Sequence, residues 1–209
     1  MKSNTLELDN LQIARDGQVL IHGLTYRLSG GDILLVQGHN GSGKSTLLKT
    51  IAGLRPPAGG RVTINGHPAA EYPHHPLFLG HKRGLTLSMS VADNVRLWSQ
   101  LSDNEELYQA ALHYFDLEGL EDVTLSQLSA GWQQRVALTR LITMPALVWL
   151  LDEPITHLDQ DGIALLHQLI QTRAEQGGII LMTSHADIQG DEIKKLNISE
   201  LAIEAEVIH

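Results

Sequence analysis

Gly38-His39-Asn40-Gly41-Ser42-Gly43-Lys44-Ser45 fits the pattern G-x-x-x-x-G-K-[ST]. Glycines let such a loop curl until successive backbone N–H groups converge on a phosphate, with the positive end of a helix behind them. Lys44 is placed to reach the β- and γ-phosphates of a nucleotide and Ser45 to hold Mg²⁺, with Gly38 through Thr46 forming the cradle. The flanks agree with the motif. Asp32–Gln37 reads as a short buried strand entering the loop, and Ser45–Ala52 as a helix leaving it and ending at Gly53.

Upstream, Leu6–Ala14 alternates apolar and polar residues, Asp16-Gly17 is a hairpin signal, and a second run continues from Val19 to Leu28. These predict an antiparallel sheet at the N-terminus, resumed by the strand Arg61–Gly66 after a Pro56–Gly60 break. Downstream, apolar residues recur at helical spacing through Val91, Val95, Leu97, Trp98 and Leu101, then through Leu107, Ala110, Ala111, Tyr114 and Phe115. A helical insertion over about residues 82–143 follows from this. Val148–Leu151 and Ile179–Met182 are continuous apolar runs of the kind covered on both faces in a parallel sheet, with a helix from Gly162 to Glu175 between them. Alternating strand and helix gives an α/β fold with a parallel core, and no repeat or linker divides the 209 residues into independent domains.

A formal net charge of −9 argues against a nucleic-acid partner, because backbone binding needs clustered Lys and Arg. No apolar run approaches the roughly 20 residues that cross a bilayer, no signal-peptide pattern opens the chain, and cysteine is absent. A cytosolic location is expected. Of the 11 histidines, His67, His74, His75 and His81 crowd a proline-rich stretch, where solvated or structural roles outweigh metal or haem ligation.

Four further segments complete a pattern. Leu147–Glu153 is an apolar run ending in two carboxylates, Asp152 and Glu153; Leu158-Asp159 follows; His185 closes Met182-Thr183-Ser184-His185; and Leu128-Ser129-Ala130-Gly131-Trp132-Gln133-Gln134-Arg135 precedes an amphipathic helix expected from about Trp132 to Ile142. In order and spacing these resemble the nucleotide-binding subunits of ABC transporters: an ABC-type P-loop NTPase domain, with an N-terminal antiparallel β subdomain and an inserted helical subdomain. The resemblance implies that Asp152 orients Mg²⁺ and that Glu153 polarises the attacking water. It implies further that His185 contacts the γ-phosphate, that Asp159 ends the D-loop, and that Ser129 and the N–H of Gly131 press on ATP held by a second ATP-binding chain. Two copies would then close head to tail on separate membrane-spanning permease subunits, at the cytoplasmic face of the inner membrane.

The departures narrow the resemblance. The family's LSGGQ becomes LSAGW. If the family backbone needs a left-handed residue at Ala130, alanine costs on the order of 1–2 kcal/mol. Trp132 cannot imitate an amide's paired donor and acceptor, which leaves Gln133 as the candidate to compensate. Aligning Met89–Val95 puts His81 at the Q-loop glutamine position, where an imidazole could ligand the metal. It would also take up a proton in mildly acidic buffer where an amide does not, so ATPase activity is expected to fall there and His81→Gln to flatten that limb; an unchanged mutant profile rejects this. Arg15-Asp16 stands near the place of the adenine-stacking aromatic, making an Arg15 guanidinium stack the expectation. LSAG, the Q-loop histidine, the missing tyrosine and the compact chain resemble the ATP-binding subunits of haem exporters of c-type cytochrome biogenesis, which implies haem-pathway partners. An ATPase of another ABC exporter, a soluble ABC protein and a small-molecule kinase are the alternatives. Substitution of Ser129 and Gly131 separates the kinase from the ABC readings, since it should leave a kinase active and abolish an ABC ATPase.

Overall fold

Asp16 and Gly17 take left-handed backbones, φ 52° and 83°, the geometry of a two-residue hairpin turn that matches the twist of its strands. They join β1 (Thr5–Arg15) to β2 (Gln18–Ser29), antiparallel, with Arg15 opposite Gln18 and Leu6 opposite Leu28. A register shift between Leu8 and Leu11, beside the left-handed Asn10, lets Leu6, Leu8, Leu11 and Ile13 all be buried although strict alternation breaks there. On the other side of β1 lies β4 (Gly59–Ile64), which turns at Asn65-Gly66 into β5 (His67–Pro68), giving the order β2-β1-β4-β5. The structure, a computed structural model, describes residues 4–184 and 193–201.

A second sheet is built from β3 (Ile33–Gln37), β6 (Leu77–Leu79), β7 (Val148–Asp152), β8 (Ile179–Thr183) and β9 (Ile193–Asn197), in the order β6-β7-β8-β3-β9. The pairs β7–β8, β8–β3 and β3–β9 are parallel. Every residue of β7 and β8 is buried, which is why both read as unbroken apolar runs. Helix α1 (Lys44–Ile51) packs Leu47, Leu48 and Ile51 into the same core as Leu34, Leu150 and Leu181. Each such fully buried leucine contributes about 1.5–3 kcal/mol, so the sheet and α1 hold the intervening loop on a stiff base.

The chain divides into two compact units. Except for Leu79 at the end of β6, both sheets and α1 belong to the first, residues 1–78, 147–152 and 173–209; the second comprises 79–146 and 153–172. In the second, α2 (Val91–Leu101), α3 (Leu107–Tyr114), α4 (Ala130–Leu138) and α5 (Arg140–Thr143) surround Val91, Val95, Ala111, Leu112, Phe115, Val136 and Leu138, and α6 (Gln160–Glu175) belongs to it as far as Thr172. Ser90 caps α2 by accepting the Asp93 N–H, while the buried Asn94 amide bonds both the N–H and the carbonyl of Thr86. Among the described residues, no helix is long and apolar enough to cross a membrane.

Two local expectations are corrected. The helix placed from about Trp132 to Ile142 begins earlier, at Ala130, and breaks at Thr139 into α4 and α5. There the Thr139 hydroxyl bonds the Val136 carbonyl and the Arg140 guanidinium the Ala137 carbonyl, taking acceptors a continuous helix would use. Ala130 is helical rather than left-handed, so alanine there carries no backbone strain.

Candidate nucleotide-binding site

Gly38, His39, Asn40, Gly41, Ser42, Gly43, Lys44, Ser45 and Thr46 form one continuous loop and the first turn of α1, in the first unit. Gly43, left-handed at φ 102°, is the residue that turns the loop into the helix. At Gly38 a Cβ would lie 2.6 Å from Ser42 Oγ, so glycine is required for closeness of packing. The Lys44 ammonium is folded inward, donating to the Gly38 carbonyl at 2.6 Å and the His39 carbonyl at 3.2 Å. Ser42 Oγ is buried without a hydrogen-bond partner, while the Ser45 and Asn40 side chains face outward. A loop that presents amides and a folded-in cation, and leaves a buried hydroxyl unsatisfied, is suited to an anion's oxygens.

Asp152 ends β7 in the same unit. Its carboxylate is buried, accepts a hydrogen bond from the Thr183 hydroxyl at 2.9 Å, and has no ion pair among the described residues. A buried carboxylate with oxygen to spare fits a divalent cation, as would the exposed Ser45 hydroxyl. Thr183 was not singled out from sequence; the parallel register that pairs Asp152 with Thr183 is the signal that finds it. Arg15, at the end of β1, is exposed and pairs with Asp16 at 3.3 Å. A second unforeseen contact is Ser199, whose Oγ accepts the His39 N–H at 3.1 Å.

The remaining candidates lie in the second unit, with His185 outside the described residues. Glu153 follows β7 with φ 55°, a left-handed conformation unusual for a residue other than glycine and the sort of strain that gathers at functional sites. Ser129 caps α4, its Oγ accepting the Trp132 N–H at 3.4 Å. At Gly131 a Cβ would stand 2.8 Å from the His157 carbonyl oxygen, so the α4 start and the loop before Asp159 touch backbone to backbone. Asp159 accepts from the Arg135 guanidinium at 2.8 Å and the Gly162 N–H at 2.9 Å, and the Arg135 bond, then the amide, holds its carboxyl below the usual carboxylate range. His81 is exposed and lines an open groove of about 500 Å³ with Lys82, Arg83, Gly84, Leu85, Leu87, Gln133 and His157. Among the described residues, no carboxylate lines that groove.

The two glutamines after Trp132 are fully engaged. Arg83 donates to Gln133 Oε1 and Gln134 Oε1, each at 2.9 Å; Gln133 Nε2 donates to the Leu125 and Leu128 carbonyls, and Gln134 Nε2 to Pro154. Gln133 therefore braces the segment ahead of α4.

With this geometry in place, comparison with known proteins decides the family. Residues 21–156 match the ABC transporter family model. The chain belongs to the ABC transporter family. A protein of Histophilus somni named "Cytochrome c biogenesis ATP-binding export protein CcmA" is 37% identical over 207 residues, covering 96% of this chain and 95% of that one. Its namesake in Aliivibrio fischeri is 38% identical, covering 93% and 100%. Among solved structures, a putative ABC transporter ATP-binding protein from Pyrococcus furiosus superposes with TM-score 0.83 at 24% identity, over 95% of this chain and all of that one. An ATP-binding subunit of an ABC transporter gives 0.79 at 25%, over 93% and 86%. The expected ABC-type fold is thus the observed one, and the chain is an ABC-type ATPase subunit.

Proposed function

We propose that this ABC ATPase powers an export step of cytochrome c biogenesis, moving haem or releasing a haem-loaded carrier, as a peripheral subunit on the cytoplasmic face of the inner membrane. The observation that carries this is the near-full-length similarity, at 35–38% identity, to export proteins named for that pathway. LSAG at 128–131 is consistent with it.

In this reading the ATP phosphates displace the Gly38 and His39 carbonyls from the Lys44 ammonium and sit on the amides of Gly41 to Thr46, with the Ser42 hydroxyl as a further donor. Ser45 and Asp152 hold Mg²⁺, with His81 as a further candidate ligand; when bound, the ion neutralises charge developing on the phosphates. Thr183 keeps the Asp152 carboxylate oriented. Glu153 orients and deprotonates the attacking water, and His185 contacts the γ-phosphate. Arg15 stacks on the base. Ser129 and the Gly131 N–H, at the positive start of α4, act on ATP bound by a second copy, and Asp159 belongs to the same contact, so a single chain holds only half of each site.

The test is to purify Glu153→Gln with Mg-ATP, which arrests the closed pair, and identify the membrane proteins that come with it. Proteins of c-type cytochrome maturation are the expected outcome. Unrelated permeases discard the haem assignment, and soluble partners alone overturn the transport function.

A further inference from the structure

Trp132 stands where the family's signature carries glutamine, and its neighbours on α4 explain what it does there. Arg135 is the one charge on α4, and its side chain is 6% exposed. Its Nη1 donates to Asp116 at 2.8 Å and its Nη2 to Asp159 at 2.8 Å, so the fork spans two loops remote in sequence. Burial alone would lower the guanidinium's pKa, but the bonds from Asp159 and Asp116 outweigh it and the group stays protonated. Those carboxylates are 65% and 64% exposed, and water competes for both. The guanidinium also has a face, and the Trp132 ring covers it, centroid 4.9 Å from Cζ. Residues three apart on a helix lie side by side, so position 132 is the one that reaches this face from α4's N-terminal turn.

We infer that Trp132 is a positioning residue for ATP hydrolysis: by stacking on Arg135 it fixes the plane of the guanidinium, which holds Asp159 and so keeps the 154–159 loop against the backbone of Gly131. Three contacts join that loop to α4: the Arg135–Asp159 bond, the Gln134 bond to the Pro154 carbonyl and the Gly131 approach to the His157 carbonyl. Of these, the first is the one the Trp132 ring reaches, through Arg135. An indole shields one face of the guanidinium from water, which strengthens the bonds in its plane. Glutamine at 132 would leave that face open, and Gln133 and Gln134 are tied to Arg83 and to backbone carbonyls. The inference rests on the ATPase reading of Ser129, Gly131 and Asp159.

The experiment uses the complex with its membrane subunits and measures kcat and KM for ATP beside the melting temperature. Trp132→Leu keeps apolar volume and removes the π face; kcat should fall about five- to twentyfold with KM within about twofold. Trp132→Phe should recover part of the loss. In an Asp159→Ala background Trp132→Leu should add little, because the stack then has nothing to position. Unchanged kcat in Trp132→Leu, equal losses in Leu and Phe that follow a drop in melting temperature, or losses that multiply fully with Asp159→Ala each overturn the inference. Glu153→Gln in the same preparation guards the underlying reading: wild-type turnover there defeats the ATPase assignment of Glu153 whatever Trp132 does.

Discussion

The loop Gly38–Thr46 leads into α1 and the segment Leu128–Arg135 into α4, and both are directed at phosphate in the function proposed, yet they are held differently. Lys44 bonds carbonyls five and six residues before it. The second segment has local bonds too, Gln133 to the Leu125 and Leu128 carbonyls and Ser129 to the Trp132 N–H, but it adds distant ones: Gln134 reaches Pro154, Arg135 reaches Asp116 and Asp159, and Arg83 comes from fifty residues upstream to bridge Gln133 and Gln134. One is a mostly local grip on a stiff sheet, with a distant tie from Ser199 to the His39 N–H. The other is a junction whose shape depends on three other stretches of chain.

That difference predicts distinct kinds of failure. Lys44→Ala should strike binding and turnover together: two or more charge-assisted hydrogen bonds to phosphate disappear, weakening ATP affinity by about a hundredfold or more and abolishing hydrolysis. Titration with a fluorescent ATP analogue measures it, and wild-type affinity in the variant would break the contrast at its strongest point. Gly131→Ala should strike turnover alone. Its Cβ would meet the His157 carbonyl at 2.8 Å, a clash between backbones that costs about 1–3 kcal/mol to relieve, so kcat should fall tenfold or more while the affinity of the chain's own loop for ATP stays within about twofold. A parallel fall in affinity would mean that the two regions are not separable.

The same contrast decides how much was readable from sequence. Sheet order aside, β3, β7, β8 and α1 were legible because their burial is written as continuous or periodic apolar runs, and the glycine-rich loop because its bonds close within a few residues, whereas β9, with Lys194 and Lys195 exposed, carries no such run. Trp132 was legible as a departure and helical spacing puts Arg135 beside it, but the Asp116 and Asp159 that Arg135 grips, and the Arg83 that meets Gln133, are brought near only by the fold. The break at Thr139 was hidden for a different reason: side chains of ordinary helix composition captured backbone carbonyls. Thr183 lies between these cases, because its place depends on a strand register that an apolar run does not specify. Thr183→Val sharpens the first region by removing the hydroxyl from buried Asp152; stability should drop by about 1–3 kcal/mol in denaturant melts, and no change would mean that Asp152 is oriented without it.

The smallest effect expected is a dependence on pH confined to the junction. Asp159 is held below its ordinary value by the Arg135 hydrogen bond first and the Gly162 N–H second. A carboxyl depressed in the folded state contributes stability that is fully present above its unfolded pKa, roughly 3.9, and is lost as pH falls through the lower folded value. Asp159→Asn cannot titrate, so it should melt lower than wild type at neutral pH and converge on it below about pH 4. The carboxylate is exposed and screened, so the gap will be small and should shrink in high salt. Melting curves between pH 3 and 7 decide the matter: curves for wild type and Asp159→Asn that stay parallel throughout would show that the Arg135 bond adds nothing to folding, leaving the Gln134–Pro154 bond and the backbone approach of Gly131 to His157 as the contacts that hold the junction.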